Sequence, residues 1–212
     1  MSAVDELDRH RPLVAILRGV RPGEVEAIGE ALAETGIGIV EVPLNSPDPF
    51  ASIERLARRL AGRALVGAGT VLAVADVARV HDAGGRLVVS PDCKPAVIRA
   101  TVERGMASLP GTFTPTEAFA ALDAGAHGLK LFPASLIGPA GVKAVRAVLP
   151  EETRVYAVGG VDETNLGEWL AAGATGFGVG SALYRPGMTA AEVGERARAF
   201  VGAYDAIQDA AV

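Results

Sequence analysis

The 212-residue sequence predicts a (β/α)8 barrel: one domain over residues 1–212, with residues 1–11 as a short N-terminal helix or tail. Three observations carry that expectation. Short runs rich in Val, Ile, Leu and Ala recur about every 23 residues, room for a strand, two loops and a helix. Half of the residues are hydrophobic but only 5% are aromatic, with 26 glycines, which suits aliphatic strands joined by tight turns. No Pro- or Ser-rich linker or shift of composition divides the chain.

Eight strands are expected near residues 13–17, 38–42, 64–68, 86–89, 106–109, 127–131, 154–158 and 175–179. Between them lie apolar stripes at helical spacing: Val25, Ile28 and Leu32; Ile53, Leu56 and Leu60; Val74, Val77 and Val80; Val142, Val145 and Leu149; Leu166, Trp169 and Leu170. Each stripe can lie on a sheet. Thr114, Pro115 and Glu117 have the form of a capping box opening the fifth helix, and "NSPDPF" is expected to open the second with Asp48 or Ser46 as its cap. The helical segment 189–208 carries apolar stripes without a specific partner signature.

A net charge of −5 and the lack of basic runs argue against nucleic acid as a partner. Cys93 is the only cysteine, which excludes an intramolecular disulfide and a Cys-rich zinc site and fits a reducing cytoplasm. The N-terminal stretch "MSAVDELDRHRPLVAILRG" mixes charges with a short apolar run, unlike a signal peptide or membrane span. His10, His81 and His127 show no paired metal spacing, and His127 starts a strand at its N-terminal end, so neither metal nor cofactor is expected. Cys93, without a histidine partner, reads as a half-buried small side chain, and Trp169 as part of a helical stripe.

In such a barrel chemistry collects at the C-terminal ends of the strands. The polar residues there are Arg18, Glu41 with Asn45, Thr70, Ser90 with Asp92, Thr112, Lys130, Gly159 and Gly160, and Gly180 with Ser181. Lys130 lies within the apolar run "HGLKLFPAS" of a chain with three lysines and seventeen arginines. Lysine, unlike arginine, becomes a nucleophile when desolvated. Glu41 shares a strand face with Ile37 and Ile39, and Lys130 alternates with Leu129 and Leu131, so acid and amine can meet inside the barrel. Two readings stand: a buried ion pair, or an imine-forming amine with a proton-moving acid.

The glycines of "AVGGV" and "GVGSALY" follow the seventh and eighth strands, where barrels commonly bind phosphate through backbone N–H groups. Arg18 is a fork for a carboxylate or phosphate, or else forms a rim salt bridge. Thr70 either hydrogen-bonds a carboxylate or caps the third helix.

The ordered segments "AILRGV", "EVPLNSP", "GAGTVL", "SPD", "PGTFTPTEA", "LKLFPAS", "AVGGV" and "GVGSALY" closely resemble the 2-keto-3-deoxy-6-phosphogluconate and 2-keto-3-deoxy-6-phosphogalactonate aldolases over residues 12–205. The resemblance implies a class I aldolase, usually a homotrimer, acting on a phosphorylated keto acid. It implies Lys130 as Schiff-base lysine, Glu41 as acid and base, Arg18 and Thr70 at the pyruvyl carboxylate, and Gly159, Gly160, Gly180 and Ser181 around phosphate. Asn45 and Val158 stand where gluconate-type relatives usually carry arginine and threonine, which points to the galactonate epimer. Asp92, where many relatives have asparagine, and Phe113 near the mouth bear on substrate scope. The alternatives are the same cleavage of the gluconate epimer and a non-catalytic sugar-phosphate-binding barrel.

Overall fold

Beyond the strand expected near residues 106–109, Pro110 is followed by a further short strand that the sequence pattern does not predict. The structure, a computed structural model, describes residues 2–210. Its strands are β1 (Leu13–Ile16), β2 (Ile39–Pro43), β3 (Leu65–Gly69), β4 (Leu87–Val89), β5 (Ala107–Leu109), β6 (Gly111–Thr112), β7 (Leu129–Leu131), β8 (Val155–Val158) and β9 (Gly176–Val179). All pair in parallel in the order β5-β4-β3-β2-β1-β9-β8-β7-β6. The two ends of that order, β5 and β6, are halves of one stave interrupted at Pro110, which has no N–H to donate. The Pro110 carbonyl still accepts from the Lys130 N–H at 2.9 Å. The sheet therefore closes into a ring of eight staves, a (β/α)8 barrel.

The helices are α1 (Ala3–Arg9), α2 (Val25–Thr35), α3 (Pro49–Arg59), α4 (Val74–Asp82), α5 (Pro95–Glu103), α6 (Pro115–Asp123), α7 (Ala134–Arg146), α8 (Leu166–Ala171) and α9 (Ala190–Ala210). Strand alternation sorts the apolar residues into two cores. Val40, Val42, Leu129, Leu131, Val155 and Ala157 face outward onto helix stripes such as Ile28, Leu32, Ile53 and Leu56. Val14, Ile16, Ile39, Leu65, Leu87, Val89, Leu109, Tyr156 and Val158 fill the barrel interior. Ala3 and Leu7 of α1 join this inner core and close the floor of the barrel. Ion pairs of Glu6 with Arg86 and of Asp8 with Arg154 fasten α1 to the strand starts.

Local expectations met several corrections. Ile37 precedes β2 and packs in the outer core, so only Ile39 shares the inner face with Glu41. Asp48 holds the N-cap position of α3 in a left-handed conformation (φ 41°) without a side-chain cap bond. Ser46 does not cap either, because its Oγ accepts from the Gly19 N–H at 2.9 Å and ties the β2 loop to the β1 loop. Thr70 is no cap, since Ala73 precedes α4. Val74, expected on the α4 stripe, is 44% exposed, while Val77 and Val80 are buried. The helix carrying Val142 and Val145 is kinked at Gly138 (φ 67°) and ends before Leu149. The capping box at Thr114 and Glu117 forms as expected and opens α6.

Candidate active site

Leu129 and Leu131 turn outward from β7, so Lys130 between them must turn inward. It is 5% exposed, and its Nζ lies 4.6 Å from the centroid of the Phe132 ring. Glu41, brought inward on β2 beside Ile39, is 1% exposed. Both side chains line a cavity of about 10 Å³ walled by Ile16, Val89, Leu109 and Tyr156, space for about one water molecule. Among the described residues they form no ion pair with each other, and Glu41 Oε2 is buried without a hydrogen-bond partner.

Burial sets the chemistry of this pair. Desolvation pushes the Glu41 carboxyl up to about 7, against the pull of Lys130 and Arg18. Desolvation also lowers the Lys130 ammonium, with help from the Arg18 charge and opposition from Glu41. A carboxyl near neutrality and an amine whose proton affinity burial lowers suit proton transfer and nucleophilic attack.

Above Lys130 opens a larger cavity of about 480 Å³. Ile16, Arg18, Phe132 and Val158 line it together with Gly159, Gly160, Gly180 and Ser181. Gly159 (φ 97°) and Gly160 (φ 78°) are left-handed, which glycine adopts without penalty, and a Cβ on Gly160 would press within 2.8 Å of Ser135 Cβ. The Gly180 carbonyl accepts from the N–H groups of Leu183 and Tyr184, each at 2.9 Å, turning the chain sharply beside the cavity.

The structure thus brings Lys130, Glu41, Arg18, Val158 and the four loop residues together. Asn45 does not line the cavity itself; its Oδ1 accepts from Arg18 Nη1 at 2.6 Å. Thr70 also stands outside the cavity lining, at the end of β3 with φ 56°, a left-handed conformation rare for a β-branched residue. Asp92 Oδ1 and Thr112 Oγ1, after β4 and on β6, are buried without partners among the described residues, and Asp92 Oδ2 lies 3.3 Å from Lys94 Nζ. Phe113 is 48% exposed.

Tyr156, Tyr184 and Arg185 also line these cavities and were missed in the sequence. Alternation with Val158 on β8 marks Tyr156 as inward-facing, whereas nothing local marks Arg185. Cys93 is half-buried, its Sγ donates to the Glu117 carbonyl at 3.3 Å, and burial with Glu117 and Asp92 nearby pushes the thiol up, away from thiolate chemistry. His127 Nδ1 accepts from the Ser108 N–H at 3.1 Å, and desolvation lowers its pKa. Among the described residues no group of three or more His, Cys, Asp or Glu is placed to hold a metal, and no helix is long and apolar enough to cross a membrane.

The family model for KDPG and KHG aldolase matches residues 4–198. The chain belongs to the KDPG and KHG aldolase family. This aldolase is 55% identical over 197 residues to the probable 2-dehydro-3-deoxy-6-phosphogalactonate aldolase of Rhizobium meliloti (strain 1021), covering 93% of each chain. It is 46% identical over 198 residues to the 2-dehydro-3-deoxy-6-phosphogalactonate aldolase of Escherichia coli (strain K12), covering 93% of this chain and 97% of that one. The solved native KDPGal structure superposes on it with a TM-score of 0.92 at 45% identity, over 93% of this chain and 96% of that chain.

Proposed function

We propose that this aldolase is a class I enzyme that cleaves 2-dehydro-3-deoxy-6-phosphogalactonate to pyruvate and D-glyceraldehyde 3-phosphate. The observation that carries the reading is the shared burial of Lys130 and Glu41 around one small cavity, with Lys130 also lining the larger cavity that the glycine loops border. Neutral Lys130 attacks the C2 ketone, and loss of water from the adduct leaves a protonated imine. Glu41 takes the C4 hydroxyl proton, directly or through one water, as the C3–C4 bond breaks and its electrons flow into the imine. Glyceraldehyde 3-phosphate departs, Glu41 returns its proton to C3 of the enamine, and hydrolysis releases pyruvate and the free amine. A carboxyl near 7 both takes and gives that proton at neutral pH.

In this reading Gly159, Gly160, Gly180 and Ser181 present backbone N–H groups to the phosphate. Arg18, which lines the same cavity and is steadied by Asn45, takes the keto-acid end of the substrate in this reading. The family resemblance assigns Thr70 to the carboxylate although it stands outside the cavity lining; its left-handed backbone is the kind of strain that gathers at functional sites. Val158 offers no hydroxyl to the substrate, and with Asn45 it favours the galactonate epimer, in line with the names of the two relatives above. A cytoplasmic homotrimer completes the proposal; the family resemblance supports the trimer, and the single cysteine fits a reducing compartment.

The test is pyruvate release from both C4 epimers with a metal chelator present, alongside borohydride reduction in pyruvate followed by peptide mass analysis. The expected result is chelator-resistant release, faster with the galactonate epimer, and a covalent pyruvyl adduct on Lys130. Binding without turnover and without an adduct would replace this reading with that of a sugar-phosphate-binding barrel.

A further inference from the structure

We propose that Arg185 binds the substrate phosphate, supplying the side-chain charge that the glycine loops lack; the proposal rests on the class I reading above. Arg185 lines the same 480 Å³ cavity as Gly159, Gly160, Gly180, Ser181 and Lys130. Its Nε donates to the Ser181 carbonyl at 2.9 Å, so the root of the guanidinium is anchored on the phosphate loop itself. Neither terminal nitrogen makes a hydrogen bond or ion pair among the described residues, although the side chain sits in a chain of net negative charge. Two donors of a planar fork therefore stay available for an oxyanion.

Two other arginines nearby already hold hydrogen-bond partners. Arg18 Nη1 is held by Asn45 at 2.6 Å. Arg196 donates to the Ala182 carbonyl at 3.0 Å and lines a separate cavity with Glu163. A phosphate monoester carries a charge of about −1.5 to −2 at pH 7, which backbone dipoles alone do not neutralise. The next residue fixes the loop in place: Pro186 Cγ lies 2.7 Å from where a Cβ on Gly19 would stand, so the turn after β9 is packed against the turn after β1. Arg185 is thus set on a seated turn rather than a free one.

The experiment compares wild type with Arg185→Gln and Arg185→Lys on 2-dehydro-3-deoxy-6-phosphogalactonate and on its dephosphorylated form, with inorganic phosphate as competitive inhibitor. For Arg185→Gln the preference for the phosphorylated substrate is expected to fall about tenfold to a hundredfold, the loss of one charge-assisted contact, and to appear in KM rather than kcat. Inhibition by phosphate should weaken in parallel. Arg185→Lys, which keeps the charge but loses the fork, should lie between the two and carries the test if the glutamine variant does not fold. An unchanged preference, or equal losses on both substrates, overturns the proposal. A wild type that cleaves neither substrate and forms no borohydride adduct would instead overturn the class I reading.

Discussion

The Glu41 carboxylate occupies the space that any side chain on Gly69 would fill: a Cβ built on Gly69 would stand 1.7 Å from Glu41 Oε2. The two residues sit on neighbouring strands, β2 and β3, and the bare glycine lets a charged group fold flat inside a packed barrel. Gly69→Ala is expected to displace the carboxylate and lower kcat at least about tenfold, a loss of roughly 1.4 kcal/mol in transition-state stabilisation. Steady-state kinetics on the folded variant checks this; an unchanged kcat would mean that the acid works from another position.

Replacing the acid itself should have two separable effects. Glu41→Gln removes the proton carrier and is expected to reduce kcat about 10²- to 10⁴-fold with little change in KM. The native carboxyl holds its proton up to about 7, whereas an unfolded glutamate releases it near 4.5. Between those values the folded state binds more protons, so stability falls as pH rises through the window, and the penalty is fully present above it. Thermal melts should therefore show Glu41→Gln gaining on wild type at pH 8 by more than at pH 5. An equal difference at the two pH values would contradict the assignment.

Lys130→Met should abolish the borohydride adduct and reduce cleavage below detection. It also removes the charge that most opposes the desolvation of Glu41, so the Glu41 carboxyl should titrate higher than about 7 in the variant. Carboxyl carbon resonances followed across pH give the direction, and a downward shift would refute the coupling.

Thr70→Gly should relieve the left-handed strain at φ 56°. Allowing for the greater freedom of glycine in the unfolded chain, the net gain is about 1 kcal/mol, or roughly 2–4 °C in Tm. If Thr70 meets the substrate carboxylate, kcat/KM falls at the same time. A variant both more stable and fully active would show that the strain has no part in catalysis.

What the sequence disclosed follows from periodicity. Alternation placed Lys130 and Glu41 inside the barrel, because Leu129, Leu131, Val40 and Val42 have to face the helices. The glycine loops were legible for the same reason: their distance from the strand ends is short and fixed. Contacts between segments were not legible. Ser46 passed over its own helix for the Gly19 N–H, and a hydroxyl's choice among donors depends on which loops meet. Gly69 has meaning only beside Glu41, twenty-eight positions away in the chain. Arg185 is one of seventeen arginines, and only the turn that follows β9 directs it to the cavity. Pro110, in turn, broke a strand without opening the ring, because its carbonyl still accepts from Lys130.

With Ala3 and Leu7 of α1 stopping one end, the barrel is a blind tube, and traffic must pass through a single mouth. On the proposed chemistry, the three-carbon fragment tethered to Lys130 lies deepest and the phosphorylated aldehyde lies above it, like a cork. The aldehyde must leave before pyruvate can, so pyruvate should compete with the keto-acid substrate for the empty enzyme, and condensation in the reverse direction should require pyruvate to load first.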